Sequence, residues 1–204
     1  MNTQLNETSP NQQVQHASEE LKLLGKLYSS DHCCELLATL IDSIAWSDDS
    51  CIIFGRRFDI PRLQAWFADE GIHYSYSNNL IKTQPWIEPL LDIKQDVQRI
   101  TGHSFNAVLL TYYRDGSDHV TWHADDEDEL GKEPVIASLS LGETRQFHFR
   151  HKHNGTSGKL ALHDGDLLLM HPGFQENWQH CIPIESSISK PRINLTFRKV
   201  VPPL

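Results

Sequence analysis

His123 and Asp125 stand two residues apart at the end of FNAVLLTYYRDGSDHVTWHADD, residues 105–126. That stretch opens as an alternating apolar strand and turns through Arg114-Asp115-Gly116. On a strand, residues two apart point to one side, so an imidazole nitrogen and a carboxylate oxygen there can meet one metal ion. With twelve histidines and 27 acidic residues in the chain, one such pair is unsurprising by chance. A metal site needs a third ligand, for which His163, His171 and His180 are the downstream candidates. The second constellation is Arg192-Ile193-Asn194-Leu195-Thr196-Phe197-Arg198, where alternation is complete. Ile193, Leu195 and Phe197 face one way; Arg192, Asn194, Thr196 and Arg198 face the other. A solvated face would give the same pattern, but two arginines with Asn and Thr between them make a row of donors suited to carboxylates. If the row lines a cavity, its charges call for anionic ligands, because an unpaired buried guanidinium is costly.

The elements that must position these residues are mostly strands. Period-two alternation recurs at Phe105–Tyr113, Val135–Leu141, Thr144–Phe149, Lys159–Leu162, Asp166–Met170 and Ile193–Val201. Turns at Asp115-Gly116, Asn154-Gly155 and Asp164-Gly165 separate short strands, as in a sandwich or jelly roll. Residues 150–158, RHKHNGTSG, read as a polar, mobile hairpin loop. The first half reads differently. Leu21, Leu24 and Leu27, then Cys34, Leu37, Leu40 and Ile41, recur at three and four and predict helices, the second capped by Ser30 or Asp31. Ser47–Ser50 forms a loop before a short strand from Cys51 to Phe54, and Gly55 and Pro61 punctuate FGRRFDIPRLQAWF. Another short strand covers Tyr74-Ser75-Tyr76. Pro85-Trp86 opens a helix through Leu90, Leu91, Ile93, Val97 and Ile100 that ends near Gly102. The expected class is α+β, with N-terminal helices backing one sheet of a double-stranded β-helix, or jelly roll. A polar tail, residues 1–17, is expected to be disordered before a single domain over 18–204.

At 204 residues with 39% hydrophobic content, the chain is long enough for one sizeable core. It has no apolar run of membrane-span length and no basic-then-apolar leader, so neither a membrane span nor a secretion signal is expected. Cys33, Cys34, Cys51 and Cys181 lack paired zinc spacing, which favours reduced thiols and a cytoplasmic setting. A formal charge of −9 argues against a polyanionic partner for the molecule as a whole. Base nonetheless gathers at Arg56-Arg57, at Arg150-His151-Lys152-His153 and around Arg192, Arg198 and Lys199, where phosphates can be gripped locally. Acid gathers from Asp125 to Glu129.

Together, two histidines and a carboxylate leave an open face on a metal, the arrangement of non-haem Fe(II) oxygenases. The arginine row beside it would hold a dicarboxylate such as 2-oxoglutarate. With His180 as third ligand, His123-x-Asp125 and Arg192-x-Asn194-x-Thr196-x-Arg198 resemble the signature of the AlkB family of Fe(II)/2-oxoglutarate dioxygenases. FGRRFDIPR (54–62), TQPWIEPLL (83–91), YRDGSDHVTWHADDEDEL (113–130), ASLSLGETRQFHFRHK (137–152) and PRINLTFRK (191–199) extend the likeness over roughly residues 50–200. It is strongest to the branch that repairs alkylated bases in double-stranded DNA.

The resemblance implies that His123, Asp125 and His180 hold Fe(II), with O₂ as oxidant. It implies that Arg192 and Arg198, with Tyr113, Asn194 and Thr196, hold 2-oxoglutarate. Thr111 stands where that branch usually has Asn, and still offers a hydrogen bond to the co-substrate. Asp126 and Glu127 would lie at the alkylated base, and Tyr74-Ser75-Tyr76 would pack around it once flipped. Phe54, with Gly55 and Arg56, would wedge into the duplex. The expected activity is oxidative dealkylation of bases such as 1-methyladenine and 3-methylcytosine by a monomer. The partner is alkylated DNA, double-stranded by preference and single-stranded as a possibility, with nucleoid association if the source is bacterial. The competing readings are the same chemistry on RNA and a non-catalytic nucleic-acid-binding module. A zinc hydrolase would leave the arginine row unexplained.

Overall fold

The computed structural model describes residues 19–47, 50–53, 56–72, 75–76, 79–80 and 83–201, with the backbone alone for 50–53, 56–59, 75–76 and 79–80. In chain order the elements begin β1 (Leu21–Lys26), α1 (Ser30–Ser43), β2 (Ser50–Ile53), β3 (Arg56–Asp59), β4 (Leu63–Ala68), β5 (Ser75–Tyr76), β6 (Asn79–Leu80), β7 (Thr83–Gln84) and α2 (Glu88–Thr101). They continue β8 (Ala107–Tyr113), β9 (Val120–His123), β10 (Ile136–Gly142), β11 (Arg145–His151), β12 (Ser157–Leu162), β13 (Asp166–Met170), α3 (Phe174–Asn177), β14 (Trp178–Ile182) and β15 (Arg192–Arg198). The expected tail, residues 1–17, lies outside the described residues.

The architecture is three layers. Seven strands form the main sheet in the order β1-β13-β10-β15-β8-β4-β7, and four form a second sheet, β12-β11-β14-β9. Between the sheets lies one apolar cluster, with Trp66, Leu109, Phe147, Phe149, Leu168 and Trp178 among its buried members. On the other face of the main sheet α1 and α2 bring Cys33, Leu40, Leu90, Ile93 and Val97 against Val108, Leu139, Ile193, Leu195 and Phe197. A sheet covered on both faces reads as near-continuous apolar sequence, and six of the seven residues of β8 are buried. The jelly roll with helices behind one sheet is therefore as expected.

Local differences have physical causes. Leu21–Lys26 is a strand, not the expected helix. It pairs antiparallel with β13, and its register shifts between Leu23 and Gly25. Gly25 takes φ 86, a conformation that ends a helix and admits a bulge. Six residues at three-and-four spacing cannot tell a helix from an edge strand. The cap of α1 is Ser29, one residue before the expected pair, and its side chain accepts the His32 N–H at 3.4 Å. Helix α2 ends as expected, Gly102 at φ 73 donating its N–H to the Gln98 carbonyl. The first half also holds β4 and β7, which join the main sheet. They come from a stretch that shows only punctuation by Gly and Pro in the sequence.

The turn after β8 is held by reciprocal backbone bonds to the loop before β15. Gly116 N–H donates to the Ile188 carbonyl at 2.9 Å, and Glu185 N–H donates to the Gly116 carbonyl at 2.8 Å. A Cβ on Gly116 would sit inside the contact radius of the Glu185 carbonyl oxygen. G116A is expected to lower unfolding free energy by about 1–3 kcal/mol, the usual range for overpacking. Urea denaturation measures it, and an unchanged midpoint would show that this docking contributes nothing.

Candidate metal centre and its anion pocket

Strands β9 and β14 run antiparallel with His123 directly opposite His180. The two imidazole centroids are 4.2 Å apart. Nδ1 of His123 lies 2.9 Å from the Thr121 carbonyl, which can only accept; Nδ1 therefore carries the proton and Nε2 keeps its lone pair. That Nε2 is 3.9 Å from Asp125 Oδ1. One ligand atom each from His123, Asp125 and His180 lies within 4.8 Å of the others, the only such group of three or more among the described residues.

The expectation that one strand presents both His123 and Asp125 needs correction. His123 is the last residue of β9, and Asp125 lies beyond it in irregular backbone. Its buried carboxylate is held instead by Arg198, whose Nη2 donates to Oδ1 at 2.6 Å, and its N–H donates to Gln175 Oε1 at 2.9 Å. Burial by itself would raise the Asp125 pKa. Arg198, through its charge and its hydrogen bond, outweighs burial and holds it below the ordinary carboxylate range. Burial, then the charge of His123, pushes His180 down to about 3, so its imidazole is neutral and its lone pair available. His180 Nδ1 has no hydrogen-bond partner among the described residues.

Beside these three residues a cavity opens between the sheets, and its floor is the inner face of the main sheet. Cross-strand register lays polar side chains in a row over four strands. Gln64 is opposite Thr111, Thr111 opposite Asn194, and Asn194 opposite Ser140. Asn194 Oδ1 accepts from Ser138 Oγ at 2.9 Å and from Arg192 Nη2 at 2.8 Å, and Asn194 Nδ2 donates to Thr196 Oγ1 at 2.7 Å. Arg192 is 1% exposed, and its Nε and Nη1 have no hydrogen-bond partner among the described residues. Burial pushes its pKa down to about 10 even though neighbouring Tyr113 favours the charged form. Its Cζ lies 5.2 Å from the Tyr113 ring centroid. A buried cation with two unused donors fits a bound carboxylate.

The structure thus brings together His123, Asp125, His180, Thr111, Tyr113, Arg192, Asn194, Thr196 and Arg198 around one cavity. Asp126 and Glu127 follow Asp125 on the same loop; Asp126 is exposed, with Lys152 Nζ 3.4 Å from its Oδ2. Phe54, Gly55 and Tyr74 lie outside the described residues, and for Arg56, Ser75 and Tyr76 only the backbone strands β3 and β5 are described. The sequence reading missed Arg62, Gln64, Ser138 and Ser140. A signal for the serines was present: in β10 they alternate with Ala137, Leu139 and Leu141. Gln175 carried no signal, because its partner lies 50 residues away.

The description of the 2OG-Fe(II) oxygenase superfamily matches residues 6–198. The chain is 40% identical over 160 residues to DNA oxidative demethylase ALKBH2 of Mus musculus, covering 74% of this chain and 66% of that protein. It is 40% identical over 173 residues to alpha-ketoglutarate-dependent dioxygenase alkB homolog 3 of Bos taurus, covering 80% and 60%. The solved structure of OsALKBH1 superposes with TM-score 0.59 at 18% identity, covering 88% of this chain and 98% of that one, a likeness of fold. The chain belongs to the 2OG-Fe(II) oxygenase superfamily, within its AlkB family. It spans less than two thirds of the length of these two curated relatives. The cofactors of this class are Fe(II), 2-oxoglutarate and O₂. The three converging ligand residues and the unused donors of Arg192 fit the metal and the dicarboxylate.

If Arg192 awaits an anion, its charge is a liability without one. R192M removes the buried cation and keeps much of its length. It is expected to match or exceed the wild-type melting temperature in the absence of ligand, as apolar replacements of buried charges often do by roughly 1–4 kcal/mol. A clearly lower value in scanning calorimetry would show that the guanidinium is satisfied by the protein alone.

Proposed function

We propose that this chain repairs DNA by oxidative removal of alkyl groups from base nitrogens. The observation that carries the reading is the joining of His123, Asp125 and His180 to a cavity whose floor presents two unused donors of the Arg192 guanidinium. Relatives named DNA oxidative demethylase support the substrate class. Among the described residues no helix is long and apolar enough to cross a membrane. The partner is alkylated DNA, duplex in preference to single strand, met by a monomer in a reducing, cytoplasmic compartment.

His123, Asp125 and His180 are the residues that hold Fe(II). When bound with 2-oxoglutarate and O₂, the metal supplies an oxidant that hydroxylates an N-alkyl carbon. The chain's own part is placement. Arg192 pairs with a co-substrate carboxylate, and Asn194, Thr196, Thr111 and Tyr113 complete its polar lining. Arg198, already engaged with Asp125, stands where the metal and co-substrate sites meet. Leu109, Phe147 and Ile182 give the same cavity apolar walls. The hydroxylated carbon is a hemiaminal; breaking its C–N bond returns the unmodified base and releases an aldehyde. A lesion on the pairing edge is out of reach within a duplex, so the base must leave the stack. Phe54, with Gly55 and Arg56, would fill the gap, and Tyr74, Ser75 and Tyr76 would pack on the flipped base. Asp126 and Glu127 would face its edge.

An oligonucleotide carrying one 1-methyladenine, incubated with the protein, Fe(II) and 2-oxoglutarate, is expected to release formaldehyde and regain adenine. With H123A both products should fall to background. No formaldehyde from wild-type protein on single- or double-stranded substrate would end this reading. F54A is expected to lose activity on duplex while keeping it on single strands; equal loss on both would remove the wedge role from Phe54.

A further inference from the structure

Two of the three metal-site residues owe their places to the sheet, and the third does not. His123 and His180 face each other across the β9–β14 ladder. Asp125 has left that ladder, so other contacts must set its carboxylate. Arg198 holds the side chain, while the main chain is held by Gln175 through the 2.9 Å bond from Asp125 N–H to Oε1. Gln175 is 2% exposed, and its Nε2 donates to Met170 Sδ at 3.3 Å. A thioether sulfur accepts but cannot donate, so it draws the amide nitrogen toward β13 and leaves the oxygen for Asp125.

The main chain of Gln175 is anchored as well. Lys152 Nζ donates to its carbonyl at 2.9 Å and lies 3.4 Å from Asp126 Oδ2, while Lys152 N–H donates to the Asn177 carbonyl at 2.8 Å. Gln175 sits in α3, which runs directly into β14, the strand that carries His180. One short helix therefore ties the carboxylate outside the ladder to the strand of the third ligand.

We infer that Gln175 is a positioning residue for the metal centre, setting the Asp125 carboxylate against His123 and His180 through the Asp125 main chain. The inference rests on the reading of these three residues as metal ligands. The two anchors of Asp125 differ in kind. Arg198 bonds the carboxylate oxygen itself and so competes with a cation for it. Gln175 bonds the backbone, where a metal makes no claim, and its hold persists whether or not the site is loaded. Without an acceptor, the buried Asp125 N–H must find another partner or remain unsatisfied, and the loop that bears the carboxylate shifts with it.

Co(II) titration of the metal-free full chain, followed by d–d absorption, tests this without turnover. Q175L keeps the bulk of the side chain and removes the acceptor. It is expected to weaken Co(II) binding by roughly 10- to 100-fold, the range for loss of groups that orient metal ligands, and to alter the d–d envelope. Q175E keeps an acceptor oxygen at the same reach and should recover most of the affinity. M170L removes the sulfur that orients the amide and should weaken binding less than Q175L. Wild-type affinity and spectrum in Q175L, while H123A loses the signal, would overturn the role of Gln175 and leave the metal centre standing. A wild-type signal in H123A would overturn the metal centre itself. If Q175L does not fold, M170L decides, and wild-type binding by M170L then counts against the inference.

Discussion

Two guanidinium groups are buried on the inner face of β15, and their different partners order the rest of the site. Arg198 and Asp125 are 3% and 2% exposed at the side chain, and each is the other's counter-ion. A charge removed from water needs such a partner, and losing either member would strand the other. The pair therefore does structural work in the unloaded protein, and it preserves Asp125 as an anion ready for a cation. Arg192, six residues away on the same face, has hydroxyl and amide neighbours and unused donors. One buried arginine is balanced by a carboxylate, and the other keeps two donors without a hydrogen-bond partner among the described residues.

The main sheet makes this arrangement tolerable. β15 lies between β10 and β8, so its backbone bonds are made on both edges and its outer residues press against the helices. Ser138 and Ser140 on β10 supply hydroxyls at the level of Asn194 and Thr196. Among the described residues, none from α1 or α2 lines the cavity. The helical layer covers the apolar face so that the polar face can turn inward.

Two of the three metal-site residues, His123 and His180, come from the other sheet, and one buried arginine braces it. Arg145 is 1% exposed and donates to the carbonyls of Asp115, Asp118 and Pro183 and to the carboxylate of Glu185. It joins the turn leading into β9 to the loop leaving β14. Its Cζ lies 5.3 Å from the Tyr113 ring centroid, so it also touches the pocket wall. His123 and His180 on β9 and β14 and the cavity floor on β8 and β15 are thus braced by one side chain.

Much of this was determined by the sequence alone, for a physical reason. Alternation along β15 is a local property of the pleat, so Ile193, Leu195 and Phe197 against Arg192, Asn194, Thr196 and Arg198 could be sorted by reading. The cap at Gly102 and the strand Asp166–Met170 were legible because their signals, too, are local in the chain. Tertiary structure decided what depends on partners far along the chain. Leu21–Lys26 became a strand because β13 offered an edge, against a spacing that reads as helix. The row from Gln64 to Ser140 exists only through the register of four strands. Above all, the pairing of His123 with Asp125 reads in the sequence as neighbours on one strand. In the fold, His123 is placed by its ladder to His180, and Asp125 by Gln175 and Arg198. Residue types and spacing determined which groups were available; cross-strand register and hydrogen bonds between residues 50 and 73 positions apart determined where they meet.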